Sequence, residues 1–527
     1  MTPNQYSPEE PISSIATALA PAALGIVRVS GKGCIELVSK VFSRPKALLA
    51  AAGNTLVYGW MVDCRVKPCD VCEANSVDND TEDLTRGAKI DEVMLAVYRA
   101  PRSFTGEDMV EIFCHGGPAV VMAIQNLMLK SGFRQANRGE YTFRAFINGK
   151  TDLTRAEAVK EIIDSHTDVS RSHAAGRLAG SLYKEIDSIK KLIIDTLAAI
   201  EVEIEYPEDE ETIADSFDRE DIETAASRLQ ALVDSWRGEK LYQDGARVVL
   251  AGRTNAGKSS LFNAILKEER AIVSDIEGTT RDWLESWASI NGIPVRLFDT
   301  AGLRQTNDVI EAQGVEISRS LVHDADLVLY LVDGTQGMND EDREFIEKCE
   351  EPLIVVFTKS DKGADVDYHV ASLLSMTLTS SLRAEGEAIH GVLGAVPLGE
   401  GEVDKTGAQR GLGNGGETSP AYCKISSKTG DGMAELFSQI YSILTAGIAG
   451  TSTERSQAGL GSARQKDAVA EALESVKHAL VSADDNYTLD AVVQDLEDAL
   501  DSLGEVTGDV TPDDVLGSIF ANFCVGK

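Results

Sequence analysis

Residues 252–260, GRTNAGKSS, fill the pattern G-x-x-x-x-G-K-[ST], a loop that wraps a polyphosphate. The chemistry follows from the residue types. Gly252 and Gly257 let the backbone turn tightly enough to aim several N–H groups at phosphate oxygens, with Asn255, Ala256 and Ser260 in the same binding loop. Lys258 brings a point charge to the β- and γ-phosphates, and the Ser259 hydroxyl is a Mg²⁺ ligand. Such a loop commits the chain to a nucleoside triphosphate.

Further strings, in the order that GTP-binding chains use, select the base. Asp299-Thr300-Ala301-Gly302 follows the apolar run Val295-Arg296-Leu297-Phe298. An Asp at that strand end can hold Mg²⁺ through water, and Gly302 leaves room for the γ-phosphate to meet a backbone N–H. Between them lie Ser274, Asp275, Ile276, Glu277, Gly278, Thr279 and Thr280, a loop in which Thr280 completes the Mg²⁺ shell. Arg281 and Asp282 read as switch structure and not as chemistry. Thr358-Lys359-Ser360-Asp361 resembles the guanine-reading string N-K-x-D, and the Asp361 carboxylate can accept from both guanine N–H donors, which adenine does not offer. Ser426-Ser427-Lys428 resembles the last guanine-contact string. Any one string alone is compatible with a solvated loop; together they favour GTP over ATP. Thr358 replaces the usual Asn, a hydroxyl for a loop-bracing amide, so guanine preference is expected to survive with weaker binding.

The elements that must position these strings are legible as patterns. Residues 247–251 (RVVLA) read as a buried strand ahead of the phosphate loop, and 260–266 as the helix after it. Strands alternating with helices from 241 to 449 predict a doubly wound, mostly parallel sheet: an inserted Ras-like GTPase domain. A long connection inside it, near 380–420 and glycine-rich at its end, reads as a disordered insertion. Residues 1–150 mix short β-like runs with turns, an α+β domain. Leu182, Ile186, Ile189, Ile193, Leu197 and Ile200 then step by three or four, the mark of an amphipathic helix, and another helix is expected near 222–236. Val469, Leu473, Val476 and Leu480 form one late stripe; Leu489, Val493, Leu496, Leu500 and Leu503 form another. Each stripe is too short for an autonomous coiled coil. Packing 151–240 against 450–527 covers both apolar faces, which makes one discontinuous helical domain with the GTPase between its halves.

Composition bounds the partners. The chain has 527 residues, enough for about three or four domains. Its formal net charge is −35, which argues against a broad basic face for nucleic acid; a partner is expected to supply much of any RNA-binding surface. No stretch approaches the roughly 20 apolar residues of a membrane span, and the first residues do not read as a secretory signal. Eight scattered cysteines fit reduced thiols in a cytoplasm. Cys64, Cys69 and Cys72 can be three zinc ligands, but no fourth is nearby, and a polar insertion carrying free thiols accounts for them equally.

Four strings outside the GTPase segment resemble the MnmE (TrmE) family of tRNA uridine-34 modification GTPases. Residues 25–31 (GIVRVSG) look like its first motif, and 103–108 (SFTGED), leading to Glu111 and His115-Gly116-Gly117, are similar to its S-F-T-G-E-D…H-G-G string. Residues 138–150 (RGEYTFRAFINGK) resemble R-P-G-E-F-T-x-R-A-F-x-N-G-K with the Pro replaced, and 519–527 end in FCVGK, a tail that generic GTPases lack. The resemblance implies an N-terminal domain that dimerises and binds 5-formyl- or 5,10-methylene-tetrahydrofolate through Arg28, Glu111 and Lys150. The chemistry is reasonable: the two cations pair with an acidic tail, and Glu111 accepts from pterin N–H groups. Surface ion pairs are the plainer reading of the same residues. Residues 18–24 (ALAPAAL) stand where the family has a P-G-R-G-G-like loop, so altered folate geometry is expected.

The resemblance also implies a mechanism. K⁺ beside the phosphates replaces an arginine finger, held by the Asn255 side chain and by carbonyls of Ser274, Ile276 and Thr279. Glu311 orients the attacking water, and Cys524 takes part in modification near the folate pocket; an exposed helix acid and a packed small residue are the bland alternatives. The family works as a homodimer with a flavin-dependent partner, MnmG, forming a larger complex on tRNA. Together they add an aminomethyl-type or carboxymethylaminomethyl group to carbon 5 of the wobble uridine. A regulatory GTPase of ribosome assembly, which modifies no base, is the rival reading. Such proteins usually carry a basic RNA-binding module, and none is identifiable in this acidic sequence.

Overall fold

Alternation of apolar and polar residues builds the first sheet. The computed structural model describes residues 10–63, 87–205, 217–268, 284–299, 321–362, 421–448, 458–484, 489–511 and 513–526. Strands β1 (Ile12–Ile15), β2 (Ala22–Ser30), β3 (Thr55–Asp63), β4 (Ala88–Tyr98), β5 (Met109–Gly116) and β6 (Arg134–Gln135) pair in the order β3-β4-β5-β2-β1-β6. The described pairings are antiparallel except β1 with β6. In β2, Val27 and Val29 enter the core beneath the helix Pro118–Lys130, so Arg28 between them stands on the opposite face. There the register sets it directly across from Glu111 of β5.

The described residues divide into two compact units: Met1–Ser165 with Arg171–Glu239 and Ser452–Lys527, and His166–Ser170 with Lys240–Thr451. In the first unit, the helices Ser181–Glu205, Ala463–Asp484 and Leu489–Thr507 share one apolar core with Ile222, Ala225, Leu229 and Leu232 of the helix Arg219–Asp244. Leu182, Ile186, Ile189, Ile193 and Ile200 meet Val469, Leu473, Val476, Leu496 and Leu503 there, with Leu197, Leu480, Val493 and Leu500 packed at its margin. Neither half of the helical domain buries its stripe alone; each supplies the other's apolar wall. Within residues 1–150 the expected β runs are joined by helices the alternation did not reveal. Pro118–Lys130 is one, with Val121, Ile124 and Met128 buried at helical spacing, and Glu140–Ile147 another, a short helix whose buried side is largely polar.

The second unit is a doubly wound sheet of β7 (Ala246–Gly252), β8 (Leu284–Ile290), β9 (Ile293–Asp299), β10 (Leu327–Asp333), β11 (Leu353–Thr358) and β12 (Ala421–Lys424). Its order is β12-β11-β10-β7-β9-β8, parallel throughout except the β8–β9 hairpin. That hairpin turns at Asn291-Gly292, both at positive φ, as a tight two-residue turn between right-twisted strands requires. The central strand β10, LVLYLVD, is buried along its whole length because helices cover both faces. Leu261 and Ile265 with Leu436 and Ile440 cover one face; Phe345 and Ile346 cover the other. His166 belongs to this unit and stacks on Trp287 at 3.9 Å.

Candidate nucleotide site and amino-terminal site

The first ligand-facing loop springs from the carboxyl end of β7, where open parallel sheets bind ligands. Gly252 (φ 131°) lies so close to β10 that a Cβ would sit 2.4 Å from the Leu331 carbonyl oxygen; no larger residue fits. The loop then runs directly into the helix Lys258–Glu268, whose first N–H groups and dipole favour an anion. Lys258 is buried, its Nζ donating to the carbonyls of Gly252 (2.6 Å) and Arg253 (2.8 Å). These two bonds curl the side chain over the loop it serves. The Ser259 hydroxyl donates to Asp299 Oδ2 at 2.8 Å, so the two groups expected to serve one Mg²⁺ are already adjacent.

The base-reading strings are tied to the same loop. Thr358 Oγ1 donates to the Ala256 carbonyl at 2.7 Å, so the hydroxyl braces the loop as the expected amide would. Lys359, at φ 61°, donates to the Asn255 carbonyl (3.0 Å) and to Asp333 Oδ2 (2.7 Å). Burial pushes the Asp333 carboxyl up, but the bonds from Lys359 and Thr335 outweigh it and hold the group below its ordinary range. Asp361 Oδ1 accepts from the Ser426 hydroxyl at 2.9 Å, joining the two guanine strings. Ser427 is half-buried and Lys428 exposed beside them. Asp333 is a site residue that the motifs alone do not mark, although its place at the carboxyl end of an all-apolar strand is a usable signal. Arg253, inside the loop, pairs with the fully buried Asp342 at 3.2 Å, and Tyr330 donates to that same carboxylate at 2.8 Å.

Residues 274–280, Thr300, Ala301, Gly302 and Glu311 lie outside the described residues, as do Cys64, Cys69, Cys72 and the insertion near 380–420. Among the described residues no group of His, Cys, Asp and Glu is arranged to hold a metal ion. No described helix is long and apolar enough to cross a membrane.

The amino-terminal residues gather on the face of the first sheet opposite the helix Pro118–Lys130. Arg28 donates from Nε (2.9 Å) and Nη2 (2.7 Å) to Glu111 Oε1, and from Nη1 to the Gly526 carbonyl at 2.9 Å. Its guanidinium lies over the rings of Tyr141 (5.6 Å) and Phe104 (5.9 Å). Tyr98 donates to the other Glu111 oxygen, Oε2, at 3.3 Å. Lys150 is exposed and donates to the Pro101 carbonyl (3.0 Å), in the loop that carries Phe104. That loop is pinned from beneath: Ser30 bonds Thr105 (2.7 Å) and Glu107 (2.8 Å), while the buried Arg144 reaches Glu107 (3.1 Å) and Glu140 (3.0 Å). Glu107 and Arg144 were inside recognised strings yet carried no assigned role; both hold the loop in place. Cys524 is exposed, two residues before Gly526.

A mostly parallel doubly wound sheet, a phosphate loop after its first strand and guanine strings hydrogen-bonded to that loop define a P-loop GTP-binding protein. Residues 153–524 match the profile described as the MnmE helical domain, and 11–150 match the N-terminus of the GTP-binding protein TrmE. The tRNA modification GTPase MnmE of Treponema denticola is 47% identical over 99% of both chains, and that of Carboxydothermus hydrogenoformans 36% identical over 98% of this chain and 100% of its own. The chain belongs to the MnmE family of tRNA modification GTPases. Solved structures give partial likenesses: Aquifex aeolicus Era (20% identical, TM-score 0.26, 44% of this chain and 66% of that one) and the G domain of T. maritima FeoB (22%, TM-score 0.23, 38% and 98%).

Proposed function

We propose that the chain hydrolyses GTP to drive addition of an aminomethyl-type group to carbon 5 of wobble uridine 34 in certain tRNAs. It does so as a cytoplasmic homodimer together with a flavin-dependent MnmG-like partner. The observation that carries this reading is the pairing of two sites in one family-wide chain. A nucleotide loop is braced by its guanine strings, and an FCVGK tail is seated on the Arg28–Glu111 pair. The rival, a ribosome-assembly GTPase without base modification, leaves the second site without a purpose.

In this proposal the loop residues 255–260 and Lys359 hold the triphosphate, while Asp361 reads guanine. Ser259 and Thr280 ligate Mg²⁺, with Asp299 acting through water; the Ser259–Asp299 bond supports that pairing. Asn255 with the Ser274, Ile276 and Thr279 carbonyls binds K⁺, and Glu311 orients water against the γ-phosphate. Residues 1–150 bind the tetrahydrofolate one-carbon donor and dimerise, 151–240 and 450–527 form the helical domain, and 241–449 form the GTPase. The donor set at Arg28, Glu111, Tyr98 and Lys150 suits a ligand with N–H donors at one end and carboxylates at the other. Mass spectrometry of tRNA nucleosides from a deletion strain tests the whole reading. Modified uridine at position 34 should vanish and return on complementation. Its persistence in the deletion strain would leave the ribosomal reading standing.

A further inference from the structure

We infer that Arg28 and Glu111 form a clamp that fixes the carboxy-terminal tail and so positions the Cys524 thiol. The tail is held at two points that bracket the cysteine. On one side, Phe520 and Phe523 are buried among Phe143, Phe146, Leu153 and Ala156, with the Phe143 and Phe520 rings edge to face at 5.4 Å. On the other, Gly526 gives its carbonyl to Arg28 Nη1 at 2.9 Å. Gly526 sits at φ 98°, and a Cβ there would lie 2.7 Å from the Ile15 carbonyl oxygen. Between the anchors, Val525 bridges Arg138 in antiparallel fashion, and the Gly139 amide donates to the Cys524 carbonyl at 3.5 Å. Cys524 is therefore an exposed thiol on a segment pinned one residue before it and two residues after it.

The clamp needs the fork of an arginine. Glu111 takes the Nε and Nη2 edge, which aims Nη1 at the tail; Tyr141 and Phe104 flank the guanidinium and limit its swing. Arg28 and Glu111 are thus positioning residues, acting through the tail. The clamp stands on geometry whether or not folate binds; its consequence for modification rests on the proposed function.

Digestion of the full-length protein with carboxypeptidase, followed by intact mass, reads the clamp without folate or tRNA. Release past Gly526 should be slow in the parent chain. It should be at least ~10-fold faster in Arg28→Gln and in Gly526→Val, because local opening sets the rate of cleavage. Gly526→Val attacks the seat from the tail and leaves the sheet intact, so it answers the question even if Arg28→Gln fails to fold. Lys150→Ala should leave the digestion rate unchanged while weakening folate binding, which separates the clamp from the folate reading. In a reconstituted modification assay, Gly526→Val should lower kcat with KM for the folate donor unchanged, a split that general loss of structure does not produce. Parent-like digestion of both Arg28→Gln and Gly526→Val would overturn the clamp, and an equal change in kcat and KM would overturn its positioning role.

Discussion

The nucleotide site and the Arg28–Glu111 site reach order by different routes. Around the phosphate loop, side chains grip the loop through its own backbone carbonyls: Lys258 at Gly252 and Arg253, Thr358 at Ala256, Lys359 at Asn255. Each string there needs only its own local geometry and a parallel sheet to bring the strings together. The amino-terminal site instead rests on side-chain charges: Arg28 with Glu111, closed by the Gly526 carbonyl, and Arg144 with Glu107 and Glu140 under the loop beside them. A backbone acceptor survives most substitutions, whereas a buried charge lattice fails when one member goes. The two sites should therefore break differently.

The largest effect should fall on the lattice. Arg144 is 1% exposed and joins Glu107 to Glu140, so Arg144→Ala takes the guanidinium from Glu107 and leaves Glu140 to Arg134. Loss of a partner from a buried pair costs about 3–5 kcal/mol. The first thermal transition of the variant should fall steeply, and hydrogen exchange should rise in residues 99–108. An unchanged transition would erase the proposed contrast between the sites.

At the nucleotide site the expected losses are in chemistry and binding, not in folding. Glu311→Ala should lower kcat on the order of 10²-fold while GTP affinity stays close to that of the parent, since water is oriented mainly in the transition state. Lys258→Ala should weaken GTP binding on the order of 10-fold or more by removing a charge-assisted donor. Stopped-flow binding with single-turnover hydrolysis separates the two. Normal turnover by Glu311→Ala would return that residue to the class of exposed helix acids.

These differences explain what could be read in advance. The loop strings were legible because each packs its chemistry into a few consecutive residues, and the alternation of β7, β10 and β11 with helices announced their sheet. Asp333 escaped because a lone Asp after an apolar strand has no partner visible in sequence; only the parallel register puts it against Lys359. Arg28, Glu111 and Gly526 are separated by 83 and 415 positions and meet only after the sheet and the terminal helix have packed. Their individual spacing carries no message, so resemblance alone pointed to them. The tail's role was less legible still, because its anchor is a backbone carbonyl.

A smaller effect is expected from the ions. Turnover should be about 10-fold faster in K⁺ than in Na⁺ at matched ionic strength, if Asn255 and the switch carbonyls shape a site for the larger cation. Asn255 stands at φ 64°, and Lys359 fixes its carbonyl, so the loop arm that offers its side chain is already set. Equal rates in the two salts would remove the cation from the mechanism and leave the charge of Lys258 to act alone.

The smallest effect should come from Thr358, and it sharpens the comparison most. Its hydroxyl has one proton, which goes to the Ala256 carbonyl, and the residue is 2% exposed. The side chain thus braces the loop and has no donor left for the base. An amide has two N–H groups, so Thr358→Asn can keep the bond to Ala256 and offer a second donor to guanine N7. One additional hydrogen bond is worth about 0.5–1.5 kcal/mol net, so GTP and GDP should bind roughly 3–10-fold tighter. 7-Deaza-GTP, which lacks that acceptor, should gain little. Titration calorimetry with both nucleotides on the parent and the variant measures the difference. If the two nucleotides gain equally, the amide acts only on the loop; if GTP binding weakens, the buried site of Thr358 does not admit the larger side chain.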